Sequence, residues 1–293
     1  MAEQEAATNG EKKKKAFLIV GVVVAVGLMI GYFYNSYRAT HISTDDAFIE
    51  GNIHTIAARV GGSVKTVAVS DNQQVNRGDL LVELDPADYR SKAEAGRANL
   101  ELQRATLRFA ESEKKRAKAL YDQDAGSADR YDKAASSHEI ALAQVRLADE
   151  QLRQAELNLG YTRITAPAAG YITRKSVQTG NQVSTGQPLM AVVDLDNLFV
   201  IANYKETEMA RIRPGQPVRI TVDAYSGRAL TGKVDSIMAG TGVSFSLFPA
   251  ENATGNYVKV VQRIPVKIVL DPGADKDHLL RVGMSVVPTV LAK

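Results

Sequence analysis

The sequence predicts an elongated protein of mixed α and β structure, in which a long helical hairpin separates the two halves of a β-sandwich and a β-barrel follows. Three observations predict this: one β-rich segment recurs 108 positions later, strong helix formers fill the interval, and apolar and polar residues alternate after the second copy. A chain of 293 residues, 45% hydrophobic and 24% charged, is long enough for one or two cores. Its formal net charge of +3 is too small and too mixed to indicate nucleic-acid binding.

The N-terminal part of the chain predicts a single transmembrane anchor. Residues 1–15 form a basic tail that ends in four consecutive lysines, and residues 16–34 carry no charged side chain. At about 1.5 Å per residue, a helix of this length crosses most of a hydrocarbon layer about 30 Å thick. The lysines predict a cytoplasmic N-terminus and an exported remainder. A cleaved signal peptide is the alternative, but the apolar run is long and no small-residue cleavage site closes it before Tyr32.

Two related β units are separated by 108 positions. Residues 62–85 read GSVKTVAVSDNQQVNRGDLLVELD and align without a gap to residues 170–193, which read GYITRKSVQTGNQVSTGQPLMAVV. Two pairs of glycines match, Gly62 with Gly170 and Gly78 with Gly186, and we expect them at equivalent turns with φ > 0. Each unit alone has too few strands to bury a face, so we expect the halves 58–85 and 161–194 to form one sandwich.

The segment between the two units, residues 86–160, predicts an antiparallel helical hairpin. Apolar residues in its second half recur at the 4-3-4 spacing that is typical of a coiled coil, namely at Ala141, Val145, Ala148, Leu152, Ala155 and Leu159. The first half has a similar series at Ala93, Leu100, Leu107, Ala110 and Ala117. The pattern breaks at Gly126 and restarts after Ser127, an expected helix N-cap. Antiparallel helices return the chain to its starting point and would bring the two β units together.

The paired β units resemble the biotinyl and lipoyl fold. A carrier domain of that fold presents a modifiable lysine on the turn that joins its halves. Here the hairpin replaces that turn. The segment Leu84 to Tyr89 contains no lysine, and the first lysine after it is Lys92, which lies on the predicted helix. A cofactor-carrying enzyme subunit is therefore the weaker alternative, and no cofactor is expected.

Residues 195–293 predict a β-barrel domain. Apolar and polar residues alternate in segments such as PVRITVDAY and PVKIVL, and turns such as RPGQP and DPGAD separate the segments. Residues 35–57 are expected to form a linker and the first strand of the same barrel, because the segment Asp45 to Ala58 shows the same alternation of apolar and polar residues. Closing the sheet into a barrel would remove its exposed edges.

No residue pattern predicts a catalytic or metal site, so we do not expect an enzyme. The segment GRALTGKV, Gly227 to Val234, fits the phosphate-loop spacing but lacks the final Ser or Thr, and a strand pattern follows it, so a β-turn is favoured. The adjacent carboxylates of Asp45 and Asp46 would point to opposite faces of a strand. The sequon at Asn252 is interpreted as coincidental. The four histidines lie in different segments and lack the spacing of metal ligands; they are His41, His54, His138 and His278.

The order of these segments resembles the periplasmic adaptor proteins, or membrane fusion proteins, of the HlyD-like family over nearly the whole chain. Three stretches resemble the EmrA-type branch in particular: STDDAFIEGN at 43–52, NYKETEMARIRPGQPV at 203–218 and GTGVSFSLFPAENATGNYVKVVQRIPV at 240–266. The resemblance implies an adaptor of a tripartite multidrug efflux pump in a Gram-negative bacterium. It further implies an inner-membrane major-facilitator antiporter and an outer-membrane TolC-type channel as partners, and a homo-oligomer, trimer or hexamer.

A second reading of the same architecture is an adaptor of an ATP-driven exporter of protein or peptide. The two readings differ in their partner and not in their fold, so the residues alone leave both open.

The hairpin turn carries a pattern that resembles the tip by which many adaptors meet the channel. Arg116, Leu120 and Ser127 occupy its positions, whereas Ala117 and Gly126 depart from it, because larger apolar residues would be expected there. The structural alternative is that Ser127 is only an N-cap and Leu120 only a seam residue.

Overall fold

The computed structural model describes residues 27–29, 31–34, 36, 40–225, 227, 229–241, 261–275 and 277–292. The chain divides into two compact units: Ile53–Asp194, and the residues up to Asn52 together with those from Leu195. The basic tail and most of the apolar segment 16–34 lie outside the described residues. Residues 27–29 and 31–34 are helical, and within the described part of the chain no helix is long and apolar enough to cross a membrane.

The elements follow one another in this order: β1 (His41–Ser43), β2 (Ala47–Glu50), β3 (Ile53–Ala57), β4 (Gly62–Val67), β5 (Gln74–Val75), β6 (Leu80–Leu84), α1 (Ala87–Asp122), α2 (Ala128–Gly160), β7 (Arg163–Thr165), β8 (Gly170–Thr173), β9 (Gln182–Val183), β10 (Pro188–Val193), β11 (Phe199–Lys205), a 3₁₀ helix (Glu206–Arg211), β12 (Pro217–Val222), β13 (Ala229–Ile237), β14 (Arg263–Leu270) and β15 (Val286–Leu291).

The two related β units form a single sandwich in which each unit lends a strand to the other. One sheet has the order β3-β10-β8-β5 and the second has the order β7-β6-β4-β9. Gly62 on β4 pairs with Val183 on β9, and the equivalent residues Gly170 and Val75 pair in the other sheet. Because β5 and β9 have crossed between the units, neither half is a complete sheet alone.

Equivalent apolar positions of the two units share one core. Their side chains are buried in pairs, Val69 with Val177, Val75 with Val183 and Leu81 with Leu189. Burial of such side chains is worth about 1.5–3 kcal/mol each. This common core, together with the strand exchange, bears out the expected two-part sandwich.

The helices α1 and α2 pack side by side in antiparallel directions and lie within the predicted segment 86–160. The positions of the predicted apolar series are buried or half-buried in both helices. A Cβ atom built on Gly96 would lie 3.3 Å from the Leu152 Cα, so the glycine permits a close approach of the two backbones. Two ion pairs also join the helices, Arg97 to Glu156 at 2.8 Å and Arg104 to Asp149 at 3.7 Å.

The other unit contains a seven-stranded sheet with the order β1-β15-β12-β13-β14-β11-β2. Its two ends approach each other, because the Ile49 N–H donates to the Met284 carbonyl at 2.9 Å and the Gly283 N–H donates to the Ile49 carbonyl at 2.8 Å. Tyr204 is fully buried inside and donates its hydroxyl proton to the Pro288 carbonyl at 3.2 Å. Burial, with a smaller effect of the Glu208 carboxylate, raises the pKa of the Tyr204 hydroxyl.

One predicted boundary is wrong. The segment 35–57 does supply strands β1 and β2 to this sheet, but β3 pairs with β10 in the sandwich, from Ile53 opposite Val193 to Ala57 opposite Pro188. The division therefore falls after Asn52. The physical reason is that Ile56 and Ala58 bury their side chains in the sandwich core.

Candidate functional site

The candidate site is the turn of the hairpin, residues 120–127, with the last turn of α1 before it. Helix α1 ends at Asp122, and Asp124 adopts a left-handed conformation with φ 53°. The Ala125 N–H donates to the Leu120 carbonyl at 2.9 Å, and the Asp124 N–H donates to the Tyr121 carbonyl at 3.0 Å. These bonds satisfy carbonyl groups that the helix end leaves without partners and fix the direction in which the chain leaves α1.

Gly126 lets the turn fold back onto Leu120. A Cβ atom built on Gly126 would lie 3.1 Å from the Leu120 Cβ and 3.3 Å from the Tyr121 nitrogen. These distances are too short for a larger side chain to fit without a shift of the turn. The departure from the adaptor tip pattern at Gly126 therefore has a local steric cause in this chain.

The structure gives Ser127 a capping role. Ser127 is the N-cap of α2, and its hydroxyl accepts a hydrogen bond from the Arg130 N–H at 3.4 Å. Asp129 lies in the first turn, where a carboxylate interacts favourably with the helix dipole. Leu120 and Ser127 both lie at the turn. Arg116 lies one helical turn earlier and forms an ion pair with Glu113 of its own helix.

The turn also holds an aromatic pair that the sequence pattern did not predict. The rings of Tyr121 and Tyr131 stack with centroids 5.9 Å apart and an angle of 12° between their planes. Tyr131 lies fourteen residues before Val145, so the seven-residue series of α2 begins earlier than its apolar residues indicate. Extending that series backwards would have placed Tyr131 on the seam. The stack attaches the first turn of α2 to the last turn of α1.

The four repeat glycines of the sandwich occupy equivalent conformations in pairs, but Gly62 and Gly170 begin strands β4 and β8 and do not lie in the predicted turns. Gly62 and Gly170 both have φ 159°, whereas Gly78 and Gly186 have φ 92° and 83°. The second pair lies in the left-handed region that favours glycine. At Gly170 a Cβ atom would lie 2.4 Å from the Val193 carbonyl oxygen, while the closest atom to one at Gly62 would be 3.8 Å away.

A polar clasp joins the start of β2 to β11 and β14. Arg263 reaches the Asp46 carboxylate at 3.0 Å, the Asn203 carbonyl at 3.3 Å and the Thr44 hydroxyl at 3.4 Å. The Asn203 side chain also donates to Asp46 at 3.1 Å. Asp45 is 92% exposed and lies 4.0 Å from Arg263. The two carboxylates thus differ in environment, and the cluster is a structural tie between strands.

The described residues contain no group of three His, Cys, Asp or Glu side chains that could hold a metal ion. The segment that fits the phosphate-loop spacing is largely strand β13, which begins at Ala229, so the predicted β-turn is wrong for most of its length. Gly232 on that strand lies against the Val269 carbonyl. Asn252 and most of the specific stretch 240–266 lie outside the described residues.

Comparison with protein families matches two domain models in succession. Residues 52–195 match the model described as "RND MFP, barrel-sandwich hybrid domain", and residues 197–291 match the "AAEA-like beta-barrel domain". Together they span the sandwich with its hairpin and five strands of the seven-stranded sheet, β11 to β15, whereas β1 and β2 precede the matched residues.

Similar proteins extend over nearly the full chain. The chain is 34% identical to the multidrug export protein EmrA of Escherichia coli K12, over 98% of this chain and 86% of that protein. It is 36% identical to the probable multidrug resistance protein EmrK of the same organism, over 97% and 87%. Among solved structures, the membrane fusion protein Spr0693 of Streptococcus pneumoniae R6 superposes with a TM-score of 0.63 at 18% identity, covering 86% of this chain and 99% of that one.

Proposed function

Because this chain belongs to the EmrA-type membrane fusion proteins, the periplasmic adaptors of multidrug efflux, we propose that it links an inner-membrane major-facilitator drug/proton antiporter to an outer-membrane TolC-type channel. In this proposal residues 16–34 anchor the chain in the inner membrane of a Gram-negative bacterium, and the rest lies in the periplasm. The hairpin is a two-stranded coiled coil that carries its tip toward the channel.

One observation carries the proposal: the similarity to multidrug export proteins runs through a chain that presents a long two-helix hairpin. Helix α1 has 36 residues and α2 has 33, so each is about 50 Å long at 1.5 Å per residue. Two helices of matched length place residues 120–127 at the end distant from the sandwich. We therefore propose that residues 120–127 act by contacting a partner and not by catalysis.

The tip is suited to a defined contact because its own groups are already satisfied. Ser127 caps α2, the Tyr121 and Tyr131 rings stack, and Gly126 holds the turn against Leu120. A turn ordered in this way loses little conformational entropy when a partner binds. Arg116, Leu120 and Ser127 are the residues we propose to contact the channel.

The test measures which energy source the chain's pump uses. The chain and its neighbouring multi-span transporter are expressed in cells that lack other adaptors and ATP synthase, so that ATP and the proton gradient can be varied separately. We expect drug efflux that requires the chain, stops with a protonophore at unchanged ATP, and continues when ATP is depleted. Efflux that stops on ATP depletion while the gradient persists would instead assign the chain to an ATP-driven exporter.

A further inference from the structure

The two sheets of the sandwich each have an open edge that borders the same cleft. Within the described residues β3 pairs only with β10, and β7 pairs only with β6. The two edge strands are equivalent in the repeat, since Ile56 of β3 and Ile164 of β7 lie 108 positions apart. The cleft has a volume of about 720 Å³ and is lined by both strands. Because an edge strand leaves backbone N–H and C=O groups unpaired, two walls of the cleft carry hydrogen-bonding groups.

The hydrogen bonds next to β3 show which of its backbone groups face the open side. The Ala58 N–H donates to the Gln187 carbonyl at 3.0 Å, and the Ala58 carbonyl accepts from the Gly186 N–H at 2.7 Å. Both bonds are made on the side of β10. Since backbone groups alternate in direction along a strand, those of Ala57 and Thr55 point to the open side. Both of these residues line the cleft.

The β7 edge repeats this arrangement. The Ala166 N–H donates to the Asp79 carbonyl at 2.9 Å, and the Ala166 carbonyl accepts from the Gly78 N–H at 2.8 Å, both on the side of β6. By the same alternation, the backbone groups of Thr165 and Arg163 point to the open side. These two residues also line the cleft.

The cleft carries two positive charges without a nearby counter-charge. Arg59 and Arg163 line it, and no Asp or Glu is among its lining residues. The Arg59 guanidinium lies 5.2 Å from the ring centroid of Tyr161, which packs against the sandwich core. Glu83 is opposite Arg163 on β6, but its carboxylate pairs with Lys65 at 3.5 Å. Within the described part of the chain, neither arginine forms an ion pair.

This combination of groups fits an extended acidic peptide. Open backbone groups pair with the backbone of an added strand, and the arginines pair with carboxylates. The cleft also has buried apolar side chains, Ile56 and Ile164, for the alternate residues of such a strand. A small anion would use the two charges but would leave the backbone groups of both edges without partners.

We propose that the cleft binds an extended acidic segment of a partner protein, which adds as a strand to the open edge of β3. The longer edge is the one chosen, since β3 has five residues and β7 has three. Five residues span about 17 Å. Carboxylates of the segment pair with Arg59 and Arg163. This binding goes beyond the proposed adaptor function and does not depend on which transporter or channel the chain serves.

Peptide binding to the purified full-length chain in detergent tests the chemistry of the site. The probe is a fluorescent seven-residue peptide of alternating valine and glutamate, and its anisotropy is measured at constant ionic strength. We expect saturable binding, weakened at least tenfold when lysine replaces glutamate or when every backbone nitrogen is methylated. No binding of the acidic peptide would overturn the proposal. Equal binding of the methylated peptide would also overturn it, because it would indicate a site for anions alone.

A pair of substitutions tests the assigned arginines. Arg59→Gln with Arg163→Gln should weaken binding of the acidic peptide at least tenfold. The matched control is Arg108→Gln with Arg146→Gln, which removes two exposed arginines of the hairpin and should leave the affinity unchanged. Circular dichroism checks that both variants are folded. Equal affinities of the two variants would contradict the assigned site.

Hydrogen exchange of the wild-type chain locates the added strand without any substitution. With saturating acidic peptide, the N–H groups of Thr55 and Ala57 should exchange at least tenfold more slowly than in the free chain. The Ala58 N–H is the internal control, since it already donates to Gln187. Unchanged exchange at Thr55 and Ala57, or slowing confined to β7, would overturn the proposed addition to β3.

Discussion

The Gly78 N–H donates a hydrogen bond to the Ala166 carbonyl at 2.8 Å, although the two residues lie in different halves of the chain. The bond is reciprocated 108 positions along the repeat, where the Gly186 N–H donates to the Ala58 carbonyl at 2.7 Å. The two β units are thus bonded to each other by equivalent groups. The hairpin can separate them in sequence because its antiparallel helices return the chain to the same place.

The repeat predicts unequal effects of one substitution at matched glycines. Gly170→Ala should lower the free energy of unfolding by about 1–3 kcal/mol more than Gly62→Ala, the range for overpacked sites. The backbone φ is 159° at both, but only at Gly170 would the Cβ lie 2.4 Å from a carbonyl oxygen. Urea unfolding of both variants measures the difference. Equal losses would mean that the close approach to Val193 relaxes freely.

The polar clasp predicts that two neighbouring carboxylates differ in importance. Asp46→Ala should lower the free energy of unfolding by about 1 kcal/mol, because it removes acceptors of Arg263 and Asn203. Asp45→Ala, at a side chain that is 92% exposed, should change the free energy of unfolding by less than about 0.5 kcal/mol. Thermal unfolding of the two variants tests this order. A larger loss of unfolding free energy for Asp45→Ala than for Asp46→Ala would contradict the contacts assigned to the polar clasp.

Tyr204 predicts a pH dependence in alkaline solution. Because burial raises the pKa of its hydroxyl in the folded state, stability is full below about pH 10, the ordinary tyrosine pKa, and falls above it by about 1.4 kcal/mol per pH unit. Tyr204→Phe loses the hydrogen bond to Pro288, worth about 1 kcal/mol, and it also lacks this pH dependence, because phenylalanine has no ionisable group. The stability gap between wild type and variant should narrow between pH 8 and pH 11 in urea unfolding. A constant gap would contradict the pKa shift.

The basic tail predicts the topology of the full chain. A reporter that is active only outside the cytoplasm, fused after Lys293, should be active, because lysines before residues 16–34 retain the N-terminus inside. Replacement of Lys12 to Lys15 by glutamine should lower that activity at equal expression. A silent reporter on a stably expressed wild-type fusion would overturn the proposed orientation.

The sequence was sufficient for the sandwich because matching residues such as Val69 and Val177 repeat without a gap. It was insufficient for the strand exchange, because the exchanged strands Gln74–Val75 and Gln182–Val183 have two residues each. Such strands are too short to show an alternation of apolar and polar residues. The placement of β3 failed for a related reason. Alternation of polar and apolar residues predicts a strand but does not say which sheet it joins.

At the tip, the sequence predicted the break at Gly126 and the cap at Ser127, since both depend on local chemistry. The stack of Tyr121 on Tyr131 depends on the register of two helices, which residue types alone do not set. The steric role of Gly126 against Leu120 also required coordinates, because it depends on how tightly the turn closes.

Two substitutions at the proposed tip, made together, test whether Ser127 does more than cap helix α2. Arg116→Ala with Ser127→Ala should abolish drug resistance in cells while helicity is retained, because losing the cap costs only about 1 kcal/mol. If Ser127 were only an N-cap, resistance would persist. Circular dichroism on the purified double variant provides the control for folding.

Drug resistance of cells that carry Leu120→Asp tests the central claim, that the hairpin tip joins the pump, most directly. Leu157→Asp is the control for a negative charge added far from the tip, since Leu157 is an exposed leucine near the opposite end of the hairpin. With expression, membrane anchoring and helicity equal to wild type, we predict that Leu120→Asp abolishes resistance and that Leu157→Asp preserves it. Full resistance of the Leu120→Asp cells at normal helicity would contradict the account.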